Sequence, residues 1–199
     1  VSKKTHLPNY DVFDEKRFFV SGDELELLDL GTLKIGFPIC EDVWHPDIVA
    51  RLKKMGADLI IIPNGSPYES GKLAERQAII KSRCHESNLP MIYLNLVGGQ
   101  DDLVFDGGSF VYDNNGAIIC QFPQFVETNW QIILEKRKNS WVPLPHSLAE
   151  IGSLQSQDYK AVVLGLKDYV LKSNFHKVVI GLSGGIDSAL VAVMARDAL

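Results

Sequence analysis

Hydrophobic and polar positions along the chain change period several times, and each change marks an element. Residues 25–39, LELLDLGTLKIGFPI, hold two short apolar runs around a Gly-Thr turn. They predict two strands, the second mostly apolar and therefore buried on both faces. That strand runs straight into Cys40. His45 and Pro46 then offer a helix start, DIVARLKKMG carries the helix, and Gly56 stands where a terminating glycine belongs. DLIIIPN reads as a short buried strand. From Lys72 to Asn88 no Gly or Pro interrupts the chain, and Leu73, Ile80 and Cys84 share one helical face with Gln77 between them, which predicts a helix of about four turns. PMIYLNLV predicts another strand, GSFVYDNNGAIICQF a hairpin turning at Asn-Asn-Gly, and WQIILEKRK one more strand.

Strands alternating with helices, then antiparallel pairs, argue for an α/β domain over residues 1–138. The next stretch, NSWVPLPHSLAEIGSLQSQ, has prolines, serines and no periodicity, and residues 139–156 read as a linker. From 157 the period of 3.6 returns: Tyr159, Val162, Val163, Leu166, Tyr169 and Val170 form one apolar stripe. A strand, KVVIGL, a glycine loop and the helical stretch ALVAVMARDAL follow. They open a second α/β domain over 157–199. The chain starts at Val1 rather than Met and stops inside that helix, so it is expected to be a piece of a longer protein.

Composition narrows the function classes. With 199 residues, 46% apolar and 23% charged, the chain suits a soluble globular protein. A net charge of −5 and the absence of any long basic run argue against a nucleic-acid partner. No apolar stretch approaches the roughly 18 residues of a membrane span, and the start lacks a signal-peptide core, so a cytoplasmic location is expected. Cys40, Cys84 and Cys120 are too scattered for a disulfide framework or a zinc site and are read as free thiols.

Two places carry chemistry. In GLSGGIDS, residues 181–188, two adjacent glycines stand between a strand and a helix. Gly184 and Gly185 let the backbone approach a ligand closely, and their N–H groups at a helix N-terminus suit an anion such as phosphate. A tight turn capped by Ser183, Asp187 or Ser188 is the structural alternative. No lysine follows the glycines, so this is not the P-loop pattern. The S-G-G-x-D-S order resembles the pyrophosphate-binding loop of the N-type ATP pyrophosphatases. That resemblance implies that Gly181, Leu182, Ser183, Gly184, Gly185, Ile186, Asp187 and Ser188 hold the phosphates of ATP and that Asp187 ligates Mg²⁺. A carboxylate suits a hard cation bridging phosphate oxygens.

The second place is Cys40. A side chain at the C-terminal end of a buried strand projects into a crevice, as sites do in α/β folds, although a buried structural thiol is the alternative. KKTHLPNYDVFDEKRFF before it, and the stretch from NGSPYESGKLAERQ to GGSFVYD after it, complete an ordered set. The set resembles the nitrilase, or carbon-nitrogen hydrolase, superfamily, whose members use a Glu-Lys-Cys triad on a four-layer αββα sandwich. The resemblance makes Cys40 the nucleophile and Lys4 the triad lysine, with Lys3 as the alternative register. The triad glutamate lies upstream of both in that family and is not in this sequence, so the 199 residues alone are expected to hydrolyse no glutamine. These residue types suit nucleophilic catalysis, because a thiol of pKa about 8.5 is only a few per cent thiolate at neutral pH and needs an ammonium and a base. Cys84 and Cys120 have no such company and read as packing.

A nitrilase-type domain joined to an S-G-G-x-D-S loop resembles the glutamine-dependent NAD synthetases. That implies glutamine, nicotinic acid adenine dinucleotide and ATP as substrates, a doubly wound Rossmann-like second domain, and a homo-oligomer. It also places Tyr10, Ser66 and Lys72 in the glutamine pocket, with Phe13 and Glu41 near it. Lys72 would pair with the α-carboxylate and Ser66 would hydrogen-bond it. Alternatively Tyr10 and Phe13 pack, Ser66 is a turn residue and Lys72 a solvated lysine; His6 is read as structural. A stand-alone amidase is the competing enzyme and a non-catalytic scaffold the competing non-enzyme. The glycine loop argues against the first and the retained Lys4 and Cys40 against the second.

Overall fold

The protein is described by a computed structural model covering residues 2–138 and 140–199. In chain order it contains α1 (Glu15–Phe18), β1 (Leu27–Asp29), β2 (Lys34–Gly36), α2 (Pro46–Lys54), β3 (Leu59–Asn64), α3 (Lys72–Ser87), β4 (Met91–Asn95), β5 (Val97–Gln100), β6 (Leu103–Asp106), β7 (Phe110–Tyr112), β8 (Ile118–Gln121), β9 (Leu134–Arg137), β10 (Ser140–Pro143), α4 (Leu154–Lys172) and α5 (Ile186–Ala198). Six strands form one sheet in the order β1-β2-β3-β4-β7-β8. β2, β3 and β4 run parallel, linked by α2 and α3, whereas β1 and the β7–β8 hairpin pair antiparallel at the two edges. The predicted helix boundaries hold where the chemistry is local. Pro46 stands in the first turn of α2, Gly56 follows its end at φ +94°, and Asn88 closes α3 at φ +53°.

Alternation sends the strand residues to opposite faces. Ile60, Ile62, Met91, Tyr93, Phe110 and Tyr112 face α2 and α3, where Ile48, Val49, Leu52, Leu73, Ile80 and Cys84 meet them. Leu59, Ile92, Val111 and Cys120 face the other way, under Phe122, Trp130, Ile132 and Leu134. Each large apolar side chain buried in this manner contributes about 1.5–3 kcal/mol. The described residues therefore form a helical layer on one face of the six-stranded sheet, with the segment after β8 lying over its second face. Among them, no helix is long and apolar enough to cross a membrane.

Several features differ from the sequence reading. Residues 97–106 form a β5–β6 hairpin that the periodicity does not reveal, because Gly98 (φ +130°) and Gly99 replace the apolar alternation. Ser140–Pro143, read as the start of the linker, pairs with β9 as an antiparallel strand. α4 begins at Leu154, ahead of the expected start at 157, where the Ser153 hydroxyl caps the Ser156 N–H. Its most buried residues are Gln157, Ala161 and Val170, while Val162 and Tyr169 of the predicted stripe are exposed. α4 lies on β5 and β6 through small residues: a Cβ on Gly99 would stand 3.1 Å from the Gly165 Cα, and one on Gly165 2.9 Å from Val104. Finally, residues 177–182 form no strand, and Val179 is fully exposed. A strand requires a neighbour to accept its backbone hydrogen bonds, and none lies alongside among the described residues.

Candidate active site

The C-terminal ends of β2, β3 and β4 converge on one crevice. The chain leaves β2 and turns at Cys40, whose φ of +48° is a conformation that non-glycine residues adopt at a cost of order 1–3 kcal/mol. A 3₁₀ turn, Cys40–Val43, follows at once. A strand that turns this sharply presents its side chain outward at the top of the sheet, the local geometry used for nucleophiles. The loop after β3 supplies Gly65 and Ser66.

Tyr10, Phe13, Cys40, Glu41, Ser66 and Lys72 line one cavity of about 320 Å³, together with Trp44, Tyr68 and Glu69. A second cavity of about 670 Å³ shares Cys40 and Phe13 with the first and is lined by Lys4, Glu15 and Gly65. The residues singled out around the cysteine thus come together. The two lysine registers separate: Lys3 pairs with the exposed Glu24 at 2.7 Å, whereas the half-buried Lys4 Nζ donates to both oxygens of Glu15, at 2.6 and 2.7 Å. Burial pushes the Cys40 thiol up, the Lys4 ammonium and a hydrogen bond from the Gly65 N–H pull it down, and the Glu41 and Glu15 carboxylates push it up again. Burial prevails, so the resting group is a thiol and attack requires a proton acceptor. Cys84 and Cys120 are fully buried, with thiols pushed by burial to about 12 and about 11. They pack, as read.

The pocket residues are more constrained than their sequence suggests. The Tyr10 hydroxyl donates to Glu41 Oε2 at 2.8 Å, and its ring meets Phe13 edge-on. Burial and that carboxylate hold the Tyr10 phenol protonated well above its ordinary range. Lys72 is no free lysine: its ammonium lies 2.8 Å from Glu75, 3.7 Å from Glu69 and over the Trp44 ring. Ser66 is held from beneath by the fully buried Arg76, which donates to Ser66 Oγ (3.1 Å), Ser66 O (3.0 Å) and Pro67 O (2.7 Å) while paired with Asp106 at 2.8 Å. Asn95 adds bonds to the Ser66 N–H and C=O. Sequence reasoning missed Arg76 and Glu15. Arg76 carries a signal, since a basic residue on the apolar face with Leu73, Ile80 and Cys84 must find buried acceptors; Glu15 carries none.

Of the glycine loop, Gly184 has φ +90° with open space where a Cβ would stand, and Gly185 is the N-cap of α5. Ser183 Oγ and Ser188 Oγ are 3.0 Å apart across the turn. Ile186, Asp187 and Ser188 belong to the first turn of the helix, while Gly181, Leu182 and Ser183 are exposed and precede it outside any helix or strand. None of these eight residues lines either cavity at Cys40.

Comparison with known proteins gives two matches along the chain: carbon-nitrogen hydrolase over residues 1–142 and NAD synthase over 158–199. Glutamine-dependent NAD(+) synthetases from Rhodobacter capsulatus and Thermotoga maritima are 50% and 38% identical, over 98% and 100% of this chain but only 36% and 40% of their own lengths. The chain thus spans little more than a third of the curated relatives it matches. Among solved structures, the glutamine-dependent NAD+ synthetase of Acinetobacter baumannii in complex with ADP superimposes with a TM-score of 0.92 at 39% identity, covering 98% of this chain and 37% of that one. An amidase from Nesterenkonia sp., with acrylamide added at its active-site cysteine, reaches 0.54 at 26% identity over 60% of this chain and 46% of that one. With a cysteine turned out at a strand end, a lysine beside it and a family match over residues 1–142, the chain belongs to the carbon-nitrogen hydrolase family.

Proposed function

We propose that this chain carries the glutaminase centre and the opening segment of the ATP-using domain of a glutamine-dependent NAD(+) synthetase. The observation that carries the reading is the conjunction in one chain of a left-handed Cys40 beside Lys4 with an S-G-G-I-D-S turn at the N-terminus of α5. An amidase needs only the first. The domains divide at 1–138, 139–156 and 157–199, with β10 extending the first domain's structure into the connecting segment.

In the glutaminase step, Cys40 Sγ attacks the carboxamide carbon of glutamine. The S–C bond forms as the C–N bond breaks, the thiol proton passes by way of a general base to the departing nitrogen, and ammonia leaves. Water then cleaves the thioester, releasing glutamate and restoring the thiol. Lys4 Nζ faces the oxyanion of each tetrahedral intermediate, a role worth on the order of 100- to 1000-fold in rate. Glu15 holds that ammonium in place. The base is the glutamate that the family carries upstream of the lysine. Lys72 and Ser66 take the α-carboxylate, and Tyr10 closes the pocket.

The ammonia serves to amidate nicotinic acid adenine dinucleotide, with ATP cleaved to AMP and pyrophosphate. Residues 181–188 hold the phosphates: the open space at Gly184 and the first N–H groups of α5 form the cradle. The Asp187 carboxylate is exposed in the first turn of α5 and makes no hydrogen bond among the described residues, so it is free to ligate Mg²⁺, which would neutralise phosphate charge there. The whole protein acts as a cytoplasmic homo-oligomer. The test uses the parent protein, extended to the length of its relatives. Cys40→Ser should stop NAD formation from glutamine but not from ammonium, whereas Asp187→Asn should stop both and spare ammonia release. Glutamine hydrolysis by a wild-type parent that forms no AMP would favour the amidase instead.

A further inference from the structure

Asp42 is the third residue of the turn that Cys40 opens, and it is 1% exposed. A buried carboxylate requires donors, and those it finds come from both sides of the catalytic pair. Its Oδ1 accepts from the backbone N–H groups of Thr5 (3.0 Å) and His6 (2.7 Å), the two residues after Lys4. Its Oδ2 accepts from the N–H of Ile39 (3.0 Å), the residue before Cys40. The Asp42 N–H returns a bond to Ile39 O at 3.1 Å, so the turn is closed around Cys40 in its left-handed conformation. We propose that Asp42 is a positioning residue that sets the separation and orientation of Lys4 relative to Cys40.

The physical reason lies in how the Lys4 segment is held. Residues 2–9 belong to no helix or strand. On one side they are tied to residues 21–24, through Gly22 N–H to Lys4 O (2.9 Å) and Lys3 N–H to Glu24 O (3.3 Å). On the other side the Asp42 carboxylate joins them to the Cys40 turn, and charge-assisted bonds to a carboxylate are stronger than neutral ones. Asparagine has nearly the same shape but only one acceptor oxygen. In either orientation of its amide, an N–H₂ group would face a backbone N–H, and one side of the clasp would open.

This inference rests on the reading that Lys4 and Cys40 act together, and its test separates the two. The rate of Cys40 alkylation by iodoacetamide is measured against pH in the wild-type chain, Asp42→Asn, Lys4→Met and the double variant. Asp42→Asn should raise the midpoint in the presence of Lys4 and add nothing in the Lys4→Met background, because the clasp acts through the lysine. A general loosening of the fold would shift both backgrounds alike, and that result, or no shift in either, overturns the proposal. If Asp42→Asn fails to fold, Thr5→Pro removes one donor from the clasp and is judged by the same cycle. In the parent protein, Asp42→Asn should lower kcat for glutamine hydrolysis about 100-fold, the order of loss expected from a misplacement of about 1 Å, with KM little changed and ammonium-dependent synthesis intact. Should the parent hydrolyse no glutamine while the alkylation cycle behaves as stated, the glutaminase reading falls and the clasp stands.

Discussion

Replacing Lys4 with methionine removes a cation that, among the described residues, opposes burial at Cys40, while keeping most of the side chain's volume. Of the pKa-lowering groups at Cys40 among the described residues, the Gly65 N–H then remains to stabilise the thiolate, and the Glu15 carboxylate loses its partner and repels the thiolate more strongly. A neighbouring opposite charge shifts a pKa by about 1–3 units, so the thiolate fraction at neutral pH should fall about 10- to 1000-fold. The less acidic thiol is also the better nucleophile, with a Brønsted slope of about 0.4–0.5, which recovers nearly half of that loss on a logarithmic scale. The net expectation is a fall of about 3- to 50-fold in the alkylation rate of Cys40 at neutral pH, and a faster rate than wild type once both thiols are ionised. The assay follows iodoacetamide labelling across the neutral to alkaline range, with mass spectrometry of the Cys40 peptide. Crossing profiles are expected. Coincident profiles, or a lower midpoint in Lys4→Met, would refute the argument that Lys4 governs the thiol. Lys3→Met is the control: its ammonium pairs outward with Glu24, and the profile should not move.

Two further expectations follow from the packing. Cys84 is fully buried and its thiol is raised from 9.0 to about 12, so the folded state keeps a proton that the unfolded state releases. The contribution to stability is whole below about pH 9 and is lost as pH rises towards 12, at about 1.4 kcal/mol per unit in that window. Urea midpoints of Cys84→Ala should therefore fall less steeply over this range than those of the wild type. Gly165→Val should detach α4 from β5 and β6, because its Cβ would stand 2.9 Å from Val104 Cγ2, and overpacking of this kind costs about 1–3 kcal/mol. Amide hydrogen exchange should rise over residues 97–106 and 154–172 with little change in β3 and β4; uniform protection would sink the assignment of that contact.

What the sequence by itself determined is the set of features written in neighbouring residues. The short apolar runs of β3, β4 and β7, the shared apolar face of α3, Pro46 and Gly56 at the ends of α2, and Cys40 at the end of an apolar run are all local patterns, and all stand in the structure. The letters of the candidate site, Lys4, Cys40, Tyr10, Ser66 and Lys72, come from a family resemblance, which is a statement about ordered letters; the fold brings Tyr10, Ser66 and Lys72 to one cavity and Lys4 to another, and Cys40 lines both. Tertiary structure alone decided how they are held. Glu15 reaches Lys4 across 11 positions, Arg76 reaches Ser66 across 10, and Asp42 ties residues 36 and 37 positions behind it to the cysteine turn. No local pattern names such pairings: Arg76 on an apolar helix face shows that it needs buried acceptors but not which ones, and acidic residues such as Glu15 and Asp42 look like any other until the chain folds. The same reason governs the strands. β5 and β6 form although glycine hides their alternation, because α4 closes on them, and residues 177–182 do not form a strand although they are largely apolar, because strand hydrogen bonds are made to a neighbour rather than within the segment.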